Sequence, residues 1–232
     1  MNLAFPYLSD DPNAPLWCDL SVVVEGPAVA DLEATFESDW KFATNEEPAD
    51  SKPPALTSTD LQDTAVLQVV ASGPDVPGDP LYESLLSLIF AARRRIWIVT
   101  PYFVPDEMLS RALNLAARRG VDVRLVVPAR SNHLSADLAR GSYLRELRNS
   151  GGHVLLYLPI MIHAKALLLD DHLAVIGSAN MDMRSLFLNY ELALFVYSAE
   201  HVRSAAVWVE SLMRDCRPDL PVPNRWRELA EN

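Results

Sequence analysis

Residues 163 to 180 read HAKALLLDDHLAVIGSAN, and the polar residues in that stretch are spaced for chemistry. His163, Lys165 and Asp170 follow the pattern H-x-K-x4-D, and Gly177-Ser178-x-Asn180 follows a second apolar run. Lysine supplies a positive charge, and serine and asparagine supply neutral donors. An imidazole can attack phosphorus or move a proton near neutral pH. Together these groups suit a phosphoryl group. They lie on two apolar runs, Ala166 to Leu169 and Leu173 to Ile176, joined by Asp170-Asp171-His172, which predicts a β-hairpin. Strand alternation puts His163 and Lys165 on one face, and the Gly-Ser turn returns Ser178 and Asn180 to the same end.

This pattern resembles the signature of the phospholipase D superfamily, and longer strings resemble bacterial cardiolipin synthases. These are SANMDMRSLFLNYELAL at 178–194, LQVVASGPD at 67–75, RRIWIVTPYFVPDE at 94–107, RGVDVRLVVP at 119–128 and VEGPAV at 24–29. The resemblance spans nearly the whole chain, thinning over 43–63 and after about Arg217. It implies a two-histidine mechanism without metal or other cofactor. One histidine attacks the phosphodiester to form a phosphohistidine, and the other protonates the leaving alcohol and then deprotonates the incoming one. On this resemblance His163, Lys165 and Asp170 are the catalytic candidates, with His163 the proton-transfer histidine. Lys165, Ser178 and Asn180 are the phosphate-binding candidates, and Glu191 supports a histidine. Two of these keep a plainer alternative: Asp170 fixes the turn or a partner arginine, and Glu191 is a strand-edge acid. Tyr102 and Phe103 end a strand near the expected pocket, with core packing the plainer reading, and Arg184 and Ser185 cap the next helix or support the pocket.

A second H-x-K is absent, because His133, His153, His172 and His201 are followed two residues on by Ser135, Leu155, Ala174 and Arg203. The chain therefore holds half of the family's site. The first motif of relatives typically closes with Gly-Gly-x-Asn, and this chain opens Met1-Asn2-Leu3. The order asparagine, loop, strand and helix is then written twice, with a strand expected at 19–25 and a helix at 27–40. In that alignment Asp19 faces Glu191, Val24 faces Val196 and Leu32 faces Ala205. Residues 1–42 are expected to be the tail of a first repeat, 43–63 a linker, 64–217 the second catalytic repeat and 218–232 a C-terminal tail. The expectation is a truncation, a split gene or a misplaced start codon.

Strand and helix patterns alternate from Val66 onward, with a helix expected at 80–94 and a buried strand over IWIVTPYF at 96–103 among them. This alternation predicts an α/β fold with helices on both faces of a mixed sheet. The resemblance sharpens that to a phospholipase D-like α/β/α sandwich, one complete repeat plus the tail of a first. Half of the 232 residues are hydrophobic, enough for a sizeable core. Cys18 and Cys216 make no disulfide framework, and no apolar run approaches the ~20 residues of a membrane span. Residues 93–148 carry 11 arginines against 5 acids, whereas 1–92 carry 16 acids and 2 bases. A basic middle attracts anionic headgroups such as phosphatidylglycerol, or the arginines are solvated helix faces. The net charge of −11 disfavours a nucleic-acid substrate.

The expected function is a cardiolipin synthase-like phosphatidyltransferase at the cytoplasmic face of the membrane, with an anionic phospholipid substrate. Its partner is the missing first-motif half, in the same or another chain. The alternatives are a one-motif phosphodiesterase or nuclease active as a homodimer, and a catalytically silent remnant.

Overall fold

A computed structural model describes residues 6–7, 16–46 and 65–218. In chain order the elements are α1 (Val29–Thr44), β1 (Leu67–Ser72), α2 (Pro80–Ala91), β2 (Arg95–Val99), β3 (Phe103–Val104) and α3 (Glu107–Arg118). There follow β4 (Asp122–Pro128), α4 (Leu134–Asn149), β5 (His153–Tyr157), β6 (Ala166–Leu169) and β7 (Leu173–Gly177). The last are β8 (Met181–Asp182), α5 (Met183–Phe187), β9 (Glu191–Val196), α6 (Ala199–Arg214) and β10 (Cys216–Arg217). Eight strands form one mixed sheet in the order β1-β9-β7-β6-β2-β4-β5-β10. The pairs β2–β4 and β4–β5 are parallel, joined by the crossover helices α3 and α4, and the hairpin, β9, β1 and β10 add antiparallel.

The central strands read as near-continuous hydrophobic runs because both of their faces are covered. Alternate residues divide between two cores. Ile96, Ile98, Leu167 and Leu169 join Leu81, Leu85, Leu109, Leu113 and Leu144 of α2, α3 and α4 on one face. Trp97, Val99, Ala166 and Leu168 join Val202, Ala206, Val209 and Leu212 of α6 on the other. This is the expected α/β/α sandwich.

Local chemistry explains where the elements end. Asp106 caps α3 by accepting the N–H groups of Met108 and Leu109 at 3.0 and 3.3 Å, and the chain leaves that helix at Gly120 with φ +87°. Helix α2 stops at Ala91, short of the expected Arg94. The N–H groups of Arg93, Arg94 and Arg95 are held by the Asp170 carboxylate, and Arg119 donates to the last carbonyls of α2. The expected strand over IWIVTPYF breaks at Thr100-Pro101, where proline has no N–H for a ladder. Beyond the break, β3 pairs in parallel with β8, and Thr100 Oγ1 accepts the Met181 N–H at 3.2 Å.

The N-terminal segment departs from expectation. Residues 19–25 are not a strand. Cys18 makes an isolated parallel bridge to Ile162, and Val23 is 87 % exposed. Strand propensity is realised only where a neighbouring edge completes the ladder, and this segment borders the loop before His163 instead. The expected helix is present as α1, running four residues past Trp40 into the expected linker, and none of its residues is buried. Most of that linker and nearly all of the expected C-terminal tail lie outside the described residues.

Candidate active site

His163 lies on the loop between β5 and β6, at the end of the sheet where the parallel strands β2 and β4 finish. Its backbone is clamped by the N-terminal segment: His163 N–H donates to the Cys18 carbonyl at 2.7 Å, and Cys18 N–H donates to the Met161 carbonyl at 2.8 Å. Lys165 follows on the same face, its carbonyl accepting the Gly177 N–H at 3.3 Å. Its ammonium donates to the His163 carbonyl at 2.5 Å and lies 2.7 Å from Nδ1 and 3.2 Å from Nε2 of the ring. Gly177 is required here, because a Cβ would collide with the Leu192 carbonyl of the adjacent strand β9.

The imidazole is held from several sides. Tyr7 hydroxyl is 2.7 Å from Nδ1, and Asp19 Oδ2 is 3.8 Å from the same nitrogen. The rings of Trp17 and Tyr102 stand 5.4 and 6.4 Å away. Burial pulls the Lys165 pKa down to about 8, although Asp19, Glu191 and Asp182 oppose the shift. Burial pushes the Asp19 carboxyl up, but the His163 ring, the Leu20 N–H and the Lys165 charge together hold it below its ordinary value.

Asn180 Nδ2 donates to Ser185 Oγ at 3.0 Å, while its buried Oδ1 has no hydrogen-bond partner. Asp182 caps α5 by accepting the Ser185 N–H at 2.8 Å, which fixes that serine beneath Asn180. The Ser178 hydroxyl donates to Glu191 and accepts the Leu192 N–H at 2.9 Å, so it is engaged by β9 although the residue is exposed. Glu191 also accepts from Asn189 at 3.1 Å, and it acts on Lys165 through its charge. Asp170 stands at the other end of β6 from His163, with φ +49°. Its carboxylate accepts three backbone N–H groups and its carbonyl accepts from Arg95 Nε at 2.5 Å. That placement supports its turn-fixing alternative over a catalytic one. Among the described residues no group of three His, Cys, Asp or Glu converges to hold a metal ion.

The family profile described as cardiolipin synthase, PLD-like domain, matches residues 85–213. The chain belongs to this phospholipase D-like family. Curated relatives include cardiolipin synthase A of Pseudomonas putida, 38% identical over 92% of this chain and 43% of its own. The probable cardiolipin synthase YwiE of Bacillus subtilis is 36% identical over 100% of this chain and 46% of its own. The chain thus spans less than half the length of the cardiolipin synthases it matches. Among solved structures, the phospholipase D family member Nuc from Salmonella typhimurium superposes with a TM-score of 0.57 at 24% identity, covering 68% of this chain and 100% of that one. Phosphatidylserine synthase from Haemophilus influenzae superposes at 0.55 and 18% identity, covering 90% and 52%. Both share the phospholipase D fold.

Within this phospholipase D-like site, the acid beside His163 comes from the N-terminal segment and not from β9. The sequence left Glu191 open between supporting a histidine and a strand-edge acid, and it did not single out Asp19. The signal for Asp19 was its position opposite Glu191 in the repeat alignment. Tyr102 is drawn to His163, while Phe103 is fully buried in the core.

Proposed function

We propose that the chain carries the second catalytic half of a cardiolipin synthase-type phosphatidyltransferase at the cytoplasmic face of the membrane. A first-motif half, in the same or another chain, supplies the nucleophilic histidine. That histidine attacks the phosphorus of one phosphatidylglycerol, the P–O bond to glycerol breaks, and His163 gives its proton to the departing oxygen. His163 then takes the proton from the hydroxyl of a second phosphatidylglycerol as that oxygen displaces the phosphohistidine. The products are cardiolipin and glycerol. Lys165 neutralises the non-bridging oxygens. Exchanging the amide atoms of Asn180 lets Ser185 donate to Oδ1 and turns the NH2 toward the phosphate.

The observation that carries this reading is the held imidazole of His163. Tyr7 hydroxyl and the Lys165 ammonium both lie 2.7 Å from Nδ1, with the Asp19 carboxylate 3.8 Å away, so Nε2, 3.2 Å from the same ammonium, is the nitrogen that turns to substrate. The test supplies the first-motif half with this chain and follows phosphatidylglycerol conversion. Cardiolipin and glycerol should form in equal amounts, and His163→Asn should lower the rate by about 10²–10⁴-fold, the usual range for a general acid–base. Phosphatidic acid as the sole product, or a His163→Asn variant that turns over normally, refutes the reading. A homodimeric diesterase would instead act without the other half, at a rate rising with dimer fraction. No helix among the described residues is long and apolar enough to cross a membrane.

A further inference from the structure

The loop between β4 and α4 has two faces. On its inner side Tyr102 hydroxyl donates to Asn132 at 2.5 Å, and the Tyr102 ring lies 5.6 Å from His133 and 6.4 Å from His163. A cleft lined by Tyr102, His133, Asn180 and Ser185 opens there. On its outer side is a separate cleft of about 560 Å³, lined by Arg130, Arg140, Arg145 and Arg217 together with Leu134 and Leu138. Asp137 is the one acid among the described lining residues, and Arg140 at 2.8 Å and the Ser131 N–H at 2.9 Å engage it. Leu134 and Leu138 are four apart on one face of α4, and Leu134 is 81 % exposed.

We propose that this outer face docks on the surface of an anionic phospholipid bilayer and so delivers headgroups to the inner cleft. The inference rests on the reading of the substrate as a bilayer phospholipid. Charge complementarity favours that occupant: a basic cleft stands out on a chain of net charge −11, and arginines near an anionic leaflet are attracted to it. The two leucines fit the same occupant, since apolar side chains at the rim of a basic patch gain by entering the acyl boundary. A free phosphate would use the arginines and leave the leucines in water. Because one loop carries both faces, contact at Leu134 sets Tyr102, Asn180 and His163 near the headgroup layer.

Co-sedimentation of the 232-residue chain with vesicles tests this directly. Vesicles of mixed phosphatidylglycerol and phosphatidylcholine should bind it, and pure phosphatidylcholine should not. Binding should weaken as salt shortens the Debye length to about 3 Å near 1 M. Arg130→Gln with Arg217→Gln should weaken it about thirtyfold, roughly fivefold per arginine near an anionic surface. Arg130→Lys with Arg217→Lys should retain it. Leu134→Ser with Leu138→Ser should also weaken it, with an unchanged melting temperature confirming the fold. Binding is read without turnover and without the first-motif half, so failure of the catalytic reading leaves this result standing. Variants that bind normally overturn the proposal, as does indifference to phosphatidylglycerol. Displacement of the chain by millimolar glycerol 3-phosphate would mark a pocket for single headgroups and also overturn it.

Discussion

Burial and three nearby carboxylates pull the Lys165 ammonium in opposite directions, and burial prevails, taking its pKa from 10.5 to about 8. Above that value the residue loses the charge that phosphate oxygens need, so turnover should fall on an alkaline limb near pH 8. Stability should move the other way. The unfolded lysine keeps its proton up to about 10.5, so between 8 and 10.5 the unfolded chain binds the extra proton and the fold gains stability as pH rises. Below pH 8 the cost of burying the charge is fully present. Urea unfolding at a series of pH values should show this rise, and Lys165→Met should remove it. At this scale His163 and Lys165 were legible because their spacing on a strand brings them together without help from the rest of the chain. Asp19 was not assignable, since a carboxylate finds its imidazole only after a distant loop is clamped through Cys18.

The β6–β7 hairpin shows how one element positions a site from its far end. Asp170 is buried and adopts a left-handed φ of +49°. Burial pushes its carboxyl up, but the N–H groups of Arg95, Arg94 and Arg93 outweigh this and hold it below its ordinary value. Asp170→Ala should therefore cost about 3 kcal/mol, the scale of hydrogen bonds to a charged group. Asp170→Asn should cost less, because asparagine keeps an acceptor and tolerates that φ. The stability from this ionisation is present above the ordinary carboxylate value of 3.8 and is lost as pH falls through the lower folded value, so Asp170→Asn should flatten the acid limb of unfolding. Turnover per folded molecule should survive both changes. Loss of turnover at an unchanged melting temperature would restore a chemical role to Asp170. The longer strands and helices from β1 to α6 were readable from periodicity, but the short β3, β8 and α5 were not. The early end of α2 and the break after β2 were not, because each depends on a partner that another element supplies.

Across the whole molecule stability is uneven. The strands β2, β4 and β6 lie between two packed layers, whereas α1 has no buried residue and leaves Phe42 75 % exposed. Amides of α1 should exchange with solvent at an opening cost near zero to about 2 kcal/mol, while those of β2, β4 and β6 approach the global value. Hydrogen exchange read by mass spectrometry separates the two, and equal protection of α1 and β4 would contradict it. The basic segment shows a similar division of labour. Arg95 and Arg124 lie over the Trp97 ring at 4.4 and 4.9 Å, and Arg119 closes α2, so these arginines serve packing while Arg130 and Arg217 are exposed. Local order alone determined the hairpin, the H-x-K pair and the alternation that makes an α/β sandwich, since each follows from spacing along a strand or helix. Tertiary structure decided that 19–25 is not a strand, that Asp19 comes up beside His163, and that Asp170 binds backbone. Those outcomes depend on which edges, amides and charges meet across the fold, and spacing along one segment carries no record of that.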